Sequence, residues 1–210
     1  MKRTVTVPGQ GKIVVEPDIA SVRLGVNVVA RTAGAARESA ALTMDRVVSA
    51  LDKADIARRD VRTSMLSLSP TLDYSSDKGP RVTGYQALNS LSVTVRDLTA
   101  VGKVIDAALA AGASTLDSLE FTLEDGRAAA AEARSAAVAD AFARASTIAA
   151  AAGARVGRVI AVSEGSAMDA PVPFPAARMA LKAHDVSTPV EAGTQEISVA
   201  LSATFKITGK

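Results

Sequence analysis

The chain reads as an α+β protein made mainly of antiparallel sheets, with helices packed on one face. Three observations carry that reading. Runs with two-residue alternation follow one another across short turns, as in hairpins. Three longer stretches carry apolar residues at three- and four-residue spacing, two of them ending at a glycine. The order is β-β-α-β-β, then α-β-α-β, then a proline-rich loop and a last strand, which is not the strict alternation of a parallel α/β fold. An N-terminal subdomain over 1–97 and a C-terminal one over 98–210 follow, divided near Asp97.

The elements come in this order. Thr4–Val7 and Lys12–Glu16 read as short extended pieces around Gly9-Gln10-Gly11. From Ala20 to Ala30, Val22, Leu24, Val26 and Val28 share one face. Thr32 is placed to cap a helix whose stripe runs Ala36, Ala40, Met44, Val47, Val48 and Leu51. Val61–Tyr74 changes phase: Val61, Thr63 and Met65 hold one parity and Leu66, Leu68 and Leu72 the other, which predicts a bulge. Tyr85–Arg96 returns as its hairpin partner, after the turn at Asp77-Lys78-Gly79-Pro80. Asp97 caps a helix that ends at Gly112, and Leu119, Phe121 and Leu123 alternate as a strand. A long alanine-striped helix spans about Gly126 to Ala152, stopped by Gly153. Arg155–Glu164 and Thr194–Lys206 are strands, the last alternating Ile197, Val199, Leu201, Ala203 and Phe205 inward. Between them, 165–193 holds four of the chain's eight prolines, a stretch that a protein partner could order.

Composition narrows the chemistry. The 210 residues are 48% hydrophobic but only 3% aromatic, so the core must be Ala, Val, Leu and Ile in many modest contacts. The formal net charge of +2 and the broken Arg58-Arg59-Asp60-Val61-Arg62 cluster do not make a phosphate-neutralising face, and no nucleic-acid partner is expected. With no cysteine, disulfides and thiolate chemistry are excluded. No run reaches the roughly 20 apolar residues of a membrane span, and no apolar signal-peptide core follows Met1-Lys2-Arg3. As written the chain is expected in the cytoplasm; a periplasmic, envelope or secreted location is the alternative if a leader has been removed.

Candidate catalytic motifs fail one at a time. Gly9-Gln10-Gly11-Lys12 looks like a phosphate loop, yet Ile13 stands where Ser or Thr should follow, and a strand continues instead of a helix. The glycines read instead as a bulge in an edge strand. The single histidine, His184, lies in the proline-rich loop beside Asp185. Gly165-Ser166-Ala167-Met168 lacks the second glycine of a nucleophile elbow. Glu124-Asp125 precedes the long helix as a capping pair, and Glu16 and Asp18 flank Pro17 at a turn. No catalytic set, metal site or cofactor is expected.

With the pattern assembled, the sequence resembles the SIMPL-domain family, which includes bacterial oxidative-stress-defence and periplasmic immunogenic proteins. The resemblance rests on Val7-Pro8-Gly9-Gln10-Gly11 through Pro17-Asp18-Ile19-Ala20, then Leu66-Ser67-Leu68-Ser69-Pro70 and Thr83-Gly84-Tyr85-Gln86-Ala87. Val93-Thr94-Val95-Arg96-Asp97-Leu98 into Gly102, and the strand after Pro189, complete it. It implies two intertwined subdomains, no catalytic residues, homo-oligomers and an envelope location. The expected function is a non-enzymatic self-assembling or interaction protein linked to stress defence. The alternative is a small-molecule-binding or weakly hydrolytic domain with a pocket between the subdomains, for which Tyr74, Arg81 and Tyr85 are the residues to suspect.

Overall fold

The computed structural model describes residues 3–75, 79–165 and 188–209. Their order is β1 (Thr4–Val15), β2 (Ile19–Ala30), α1 (Ala33–Lys53), β3 (Val61–Asp73), β4 (Arg81–Val95), α2 (Val101–Ala110), β5 (Thr115–Thr122), α3 (Arg127–Ala151), β6 (Ala154–Glu164) and β7 (Gln195–Gly209). Two sheets result, ordered β1-β7-β6 and β3-β4-β2-β5, and every neighbouring pair in them is antiparallel. The expected α+β class with antiparallel sheets is what the chain adopts.

The described residues pack as two units, one of 3–17, 123–165 and 193–209, the other of 18–75, 79–122 and 188–192. The chain therefore leaves the first unit and returns to it twice. The division drawn near Asp97 falls inside the second unit. Residues 166–187, with His184, Asp185 and most of the proline-rich loop, lie outside the described residues, as do Asp77 and Lys78 of the hairpin turn.

In the first unit α3 lies on its sheet through a line of alanines. Ala133, Ala137, Ala141 and Ala145 are fully buried against Val7, Val199, Leu201, Ala203 and Phe205. The four-residue spacing keeps that line on one face of the helix. Small side chains on the helix alone do not bring it this close; the strand must also be bare. A Cβ on Gly9 would overlap the Ala137 carbonyl, and one on Gly11 the Ala133 carbonyl and the Ala137 nitrogen. β1 meanwhile pairs with β7 without interruption from Thr4 to Val15. The bulge expected at Gly9-Gln10-Gly11, and the break into two short pieces, are thus corrected: the glycines clear space for a helix backbone. The same residues complete the case against a phosphate loop, since Lys12 Nζ lies 2.8 Å from Glu196 in an ion pair.

The second unit buries Val22, Leu24, Val26, Leu91, Val93 and Val95 of its sheet against Ala36, Met44, Val47 and Leu51 of α1 and Val101, Val104 and Ile105 of α2. Its helix ends follow local chemistry. Thr32 Oγ1 accepts from the Ala35 amide at 3.2 Å, and Asp97 Oδ1 accepts from the Thr99 amide at 2.9 Å at the 3-10 turn leading into α2. Gly112 after α2 and Gly153 after α3 take φ of +113° and +68°, the left-handed conformation that a side chain disfavours. The segment that resumes at Thr188 is fastened to α2: Asp106 accepts from the Thr188 amide and hydroxyl, and the Thr188 carbonyl occupies the space a Cβ on Gly102 would need.

Candidate interaction surface

The exposed surface with the strongest chemical character is the hairpin of β3 and β4. Alternation shapes both strands, and β4 sits between β3 and β2 with Ala87, Leu91, Val93 and Val95 buried. β3 is the edge of the sheet, and every residue from Arg62 to Asp73 is exposed. The phase change read in its sequence is a register shift between Thr63 and Met65. Ser64, the extra residue there, donates its hydroxyl to the Ser90 carbonyl at 3.2 Å. Beyond the shift, Leu66 lies opposite Asn89, Leu68 opposite Ala87 and Pro70 opposite Tyr85, on the face that carries the helices.

That placement leaves large apolar groups in water. Leu66 is 73% exposed and Leu68 46%, with Met65, Leu72 and Val82 also open. From Thr63 to Leu72 the strand carries no charged side chain; Arg62 stands at one end and Asp73 at the other. Edge strands are ordinarily blunted by charge, by proline or by a covering element, because their free N–H and C=O groups invite pairing. Here, among the described residues, Pro70 and the bulge at Ser64 are the only such devices in the run.

The three residues singled out from sequence all fall on this hairpin. Tyr74 follows β3 and is 73% exposed. Arg81 opens β4, exposed, in register with Asp73. Tyr85, between Pro70 and Ala30 in the sheet, is half-buried against the core. So Tyr74 and Arg81 stand at the open end, while Tyr85 belongs to the margin of the core. Sequence reasoning passed over the exposed leucines. The signal for them was Leu66-Ser67-Leu68-Ser69-Pro70, an uncharged alternating run containing a proline, which only an edge strand tolerates.

The electrostatics lie beside the surface, not within it. At the base of β3, Asp60 accepts from Arg96 Nη2 at 2.9 Å and Nε at 3.1 Å; the aspartate side chain is only 9% exposed. That hydrogen-bonded guanidinium holds the Asp60 carboxyl below its ordinary value. Asp73 is likewise lowered by hydrogen bonds from Ser75, whose amide donates to Oδ1 at 2.9 Å. Asp125, expected to serve the start of α3, accepts from the Arg127 amide at 3.0 Å and also pairs with the Arg127 guanidinium. Among the described residues no group of three or more His, Asp or Glu is arranged to hold a metal ion. Two buried oxygens there, Asn89 Oδ1 and Thr115 Oγ1, lack a hydrogen-bond partner. Among the same residues, no helix is long and apolar enough to cross a membrane.

Comparison with known proteins agrees with the resemblance read from the motifs. The chain belongs to the SIMPL family, described as "Protein of unknown function (DUF541)", whose profile matches residues 5–205. It is 36% identical to the 26 kDa periplasmic immunogenic protein of Brucella melitensis, over 97% of this chain and 84% of that protein, and equally so to the Brucella abortus protein of the same name. It is 30% identical to the uncharacterized protein YggE of Escherichia coli over 69% of this chain and 58% of that protein. The Brucella names overturn the cytoplasmic expectation: those relatives are periplasmic by name over nearly the whole chain. A compartment is addressed by a leader, and nothing in the folded chain need carry it.

Proposed function

We propose that this SIMPL-family protein works without catalysis, as a periplasmic self-assembling protein whose subunits join through the open edge of β3. The observation that carries the reading is the charge-free run from Thr63 to Leu72, exposed throughout on an edge strand with Leu66, Leu68 and Leu72 in water. Such a surface binds by backbone pairing and apolar packing, and it offers no group for proton transfer. Tyr74 and Arg81 extend it at the hairpin's open end, where an aromatic ring and a guanidinium are favoured contacts. The names of the Brucella relatives support the compartment. Any part in stress defence would then belong to the assembly and not to turnover of a small molecule.

The test is the absolute mass of the purified protein by light scattering over a dilution series. The expected result is a discrete multiple of 21.4 kDa that survives dilution. A monomer at every concentration overturns the proposal.

A further inference from the structure

Resting on that assembly reading, we infer that β3 pairs antiparallel with β3 of a second copy, about a twofold axis at Ser67. The register follows from two interruptions in the strand. Pro70 has no N–H, so its nitrogen faces away from β4, and two-residue alternation turns the N–H and C=O groups of Leu66 and Leu68 outward as well. On the other side, the extra residue Ser64 breaks the regular ladder. Ser64 and Pro70 are equally distant from Ser67 in the chain. A twofold axis there sets each interruption against the other and leaves Leu66-Ser67-Leu68 whole. Leu66 then exchanges two backbone hydrogen bonds with the partner's Leu68, and the symmetric pair does the same. Moving the axis to Leu68 sets Leu66 against the partner's Pro70, which cannot donate. Moving it to Leu66 sets Leu68 against the partner's Ser64, at the bulge.

Charge selects a second copy of this chain as the occupant. The uncharged run is bounded by Arg62 at its start and Asp73 at its end. Antiparallel self-pairing brings the basic end of one strand towards the acidic end of the other, and no like charges meet between them. An axis normal to the sheet also keeps Leu66 and Leu68 of both copies on one face, where each leucine covers one from the other copy. On the opposite face the two Ser67 residues form a directly opposed pair outside the hydrogen-bonded positions, with Cα atoms about 4.5 Å apart, within disulfide range.

The chain's lack of cysteine makes this directly testable. Ser67→Cys, oxidised while assembled, is expected to run mainly as a covalent dimer that reductant reverses. Ser69→Cys is expected to stay uncrosslinked, because its two copies would lie roughly 14 Å apart. A mixture of Met65→Cys with Ser69→Cys tests the same register without altering Ser67, and is expected to crosslink only as the mixed pair. An assembled protein in which neither Ser67→Cys nor the mixture crosslinks, or in which Ser69→Cys alone crosslinks equally well, overturns the β3 pairing and moves the interface off β3, while self-assembly stands. Strand addition by an unrelated protein would give that same result in the pure protein. A monomeric parent protein overturns both.

Discussion

β1 and β3 are both edge strands, and the chain treats them in opposite ways. β1 presents Gly9 and Gly11 to α3, so the helix backbone lies directly on it, and Asp140 of the helix accepts a hydrogen bond from the Gln10 amide at 2.9 Å. A free donor next to an edge glycine pair is thus satisfied from within the chain. β3 has no covering element over Arg62–Asp73 among the described residues, carries leucines into water and is guarded only by Pro70 and the bulge at Ser64. Among the described residues β5 and β6 are edge strands as well, and β6 also carries Val159, Ile160 and Val162 into water. β3 differs from β6 in the longer run without charge, Thr63–Leu72 against Val159–Ser163.

The contrast is broken most severely by filling the closed edge. Gly11→Val places carbon atoms where the Ala133 carbonyl and the Ala137 nitrogen lie, and backbone cannot yield as a side chain can. A loss above about 4 kcal/mol is expected, in the range reserved for such clashes. Hydrogen exchange should show it as lost protection in β1 and β7, with the strands of the second unit less affected. Retained protection in β1 would mean that α3 can lift without cost, and the closed-edge account would be wrong.

Leu66→Lys with Leu68→Lys probes the open edge. Both side chains are exposed in the single chain, so the variant should stay folded, losing only the stability that association itself supplies. The mass by light scattering should nevertheless fall to that of the monomer. A stable variant that still assembles would move the interface elsewhere.

The smallest effect concerns Asp140. Its carboxyl is held below the ordinary value of 3.8, first by the Arg144 guanidinium and then by the Gln10 amide. A lowered native value means that the contribution is complete above the unfolded aspartate value and is lost as pH falls through the native one. Thermal unfolding of the parent and of Asp140→Asn should therefore differ slightly at neutral pH and converge in acid below 3.8. A gap that persists in acid would assign the effect to something other than the charge.

Much of the fold was legible because its causes are local. The alternation of β2 and β7, the Thr32 cap, the left-handed glycines 112 and 153, and the slip near Ser64 are each encoded within a few residues. The role of Gly9 and Gly11 was not. A glycine pair in a strand fits either a bulge or a close neighbour, and the neighbour here, Ala133 to Ala141, is far away in sequence. The open edge was half legible. Parity set Leu66 and Leu68 on one face, but parity does not say whether anything covers that face. Tyr74, Arg81 and Tyr85 fall on the same hairpin, with Tyr85 drawn towards the core because it pairs with Ala30 as well as Pro70. The compartment was misread, since an address lies in a leader and not in the folded chain.

The pairing of β1 with β7 also bears on how the protein folds. Thr4 lies opposite Lys206 and Val15 opposite Gln195, and residues 18–122 of the second unit lie between the two strands in sequence. The second unit draws β2, α1, β3, β4, α2 and β5 from that one unbroken stretch. The first unit has no such shortcut, because β1 gains its neighbour only when β7 returns from the far side of it. Closing so distant a pair is a slow step, and until it is taken the backbone donors of β1 stand open to other strands. The first unit is then the later and more aggregation-exposed half of the fold.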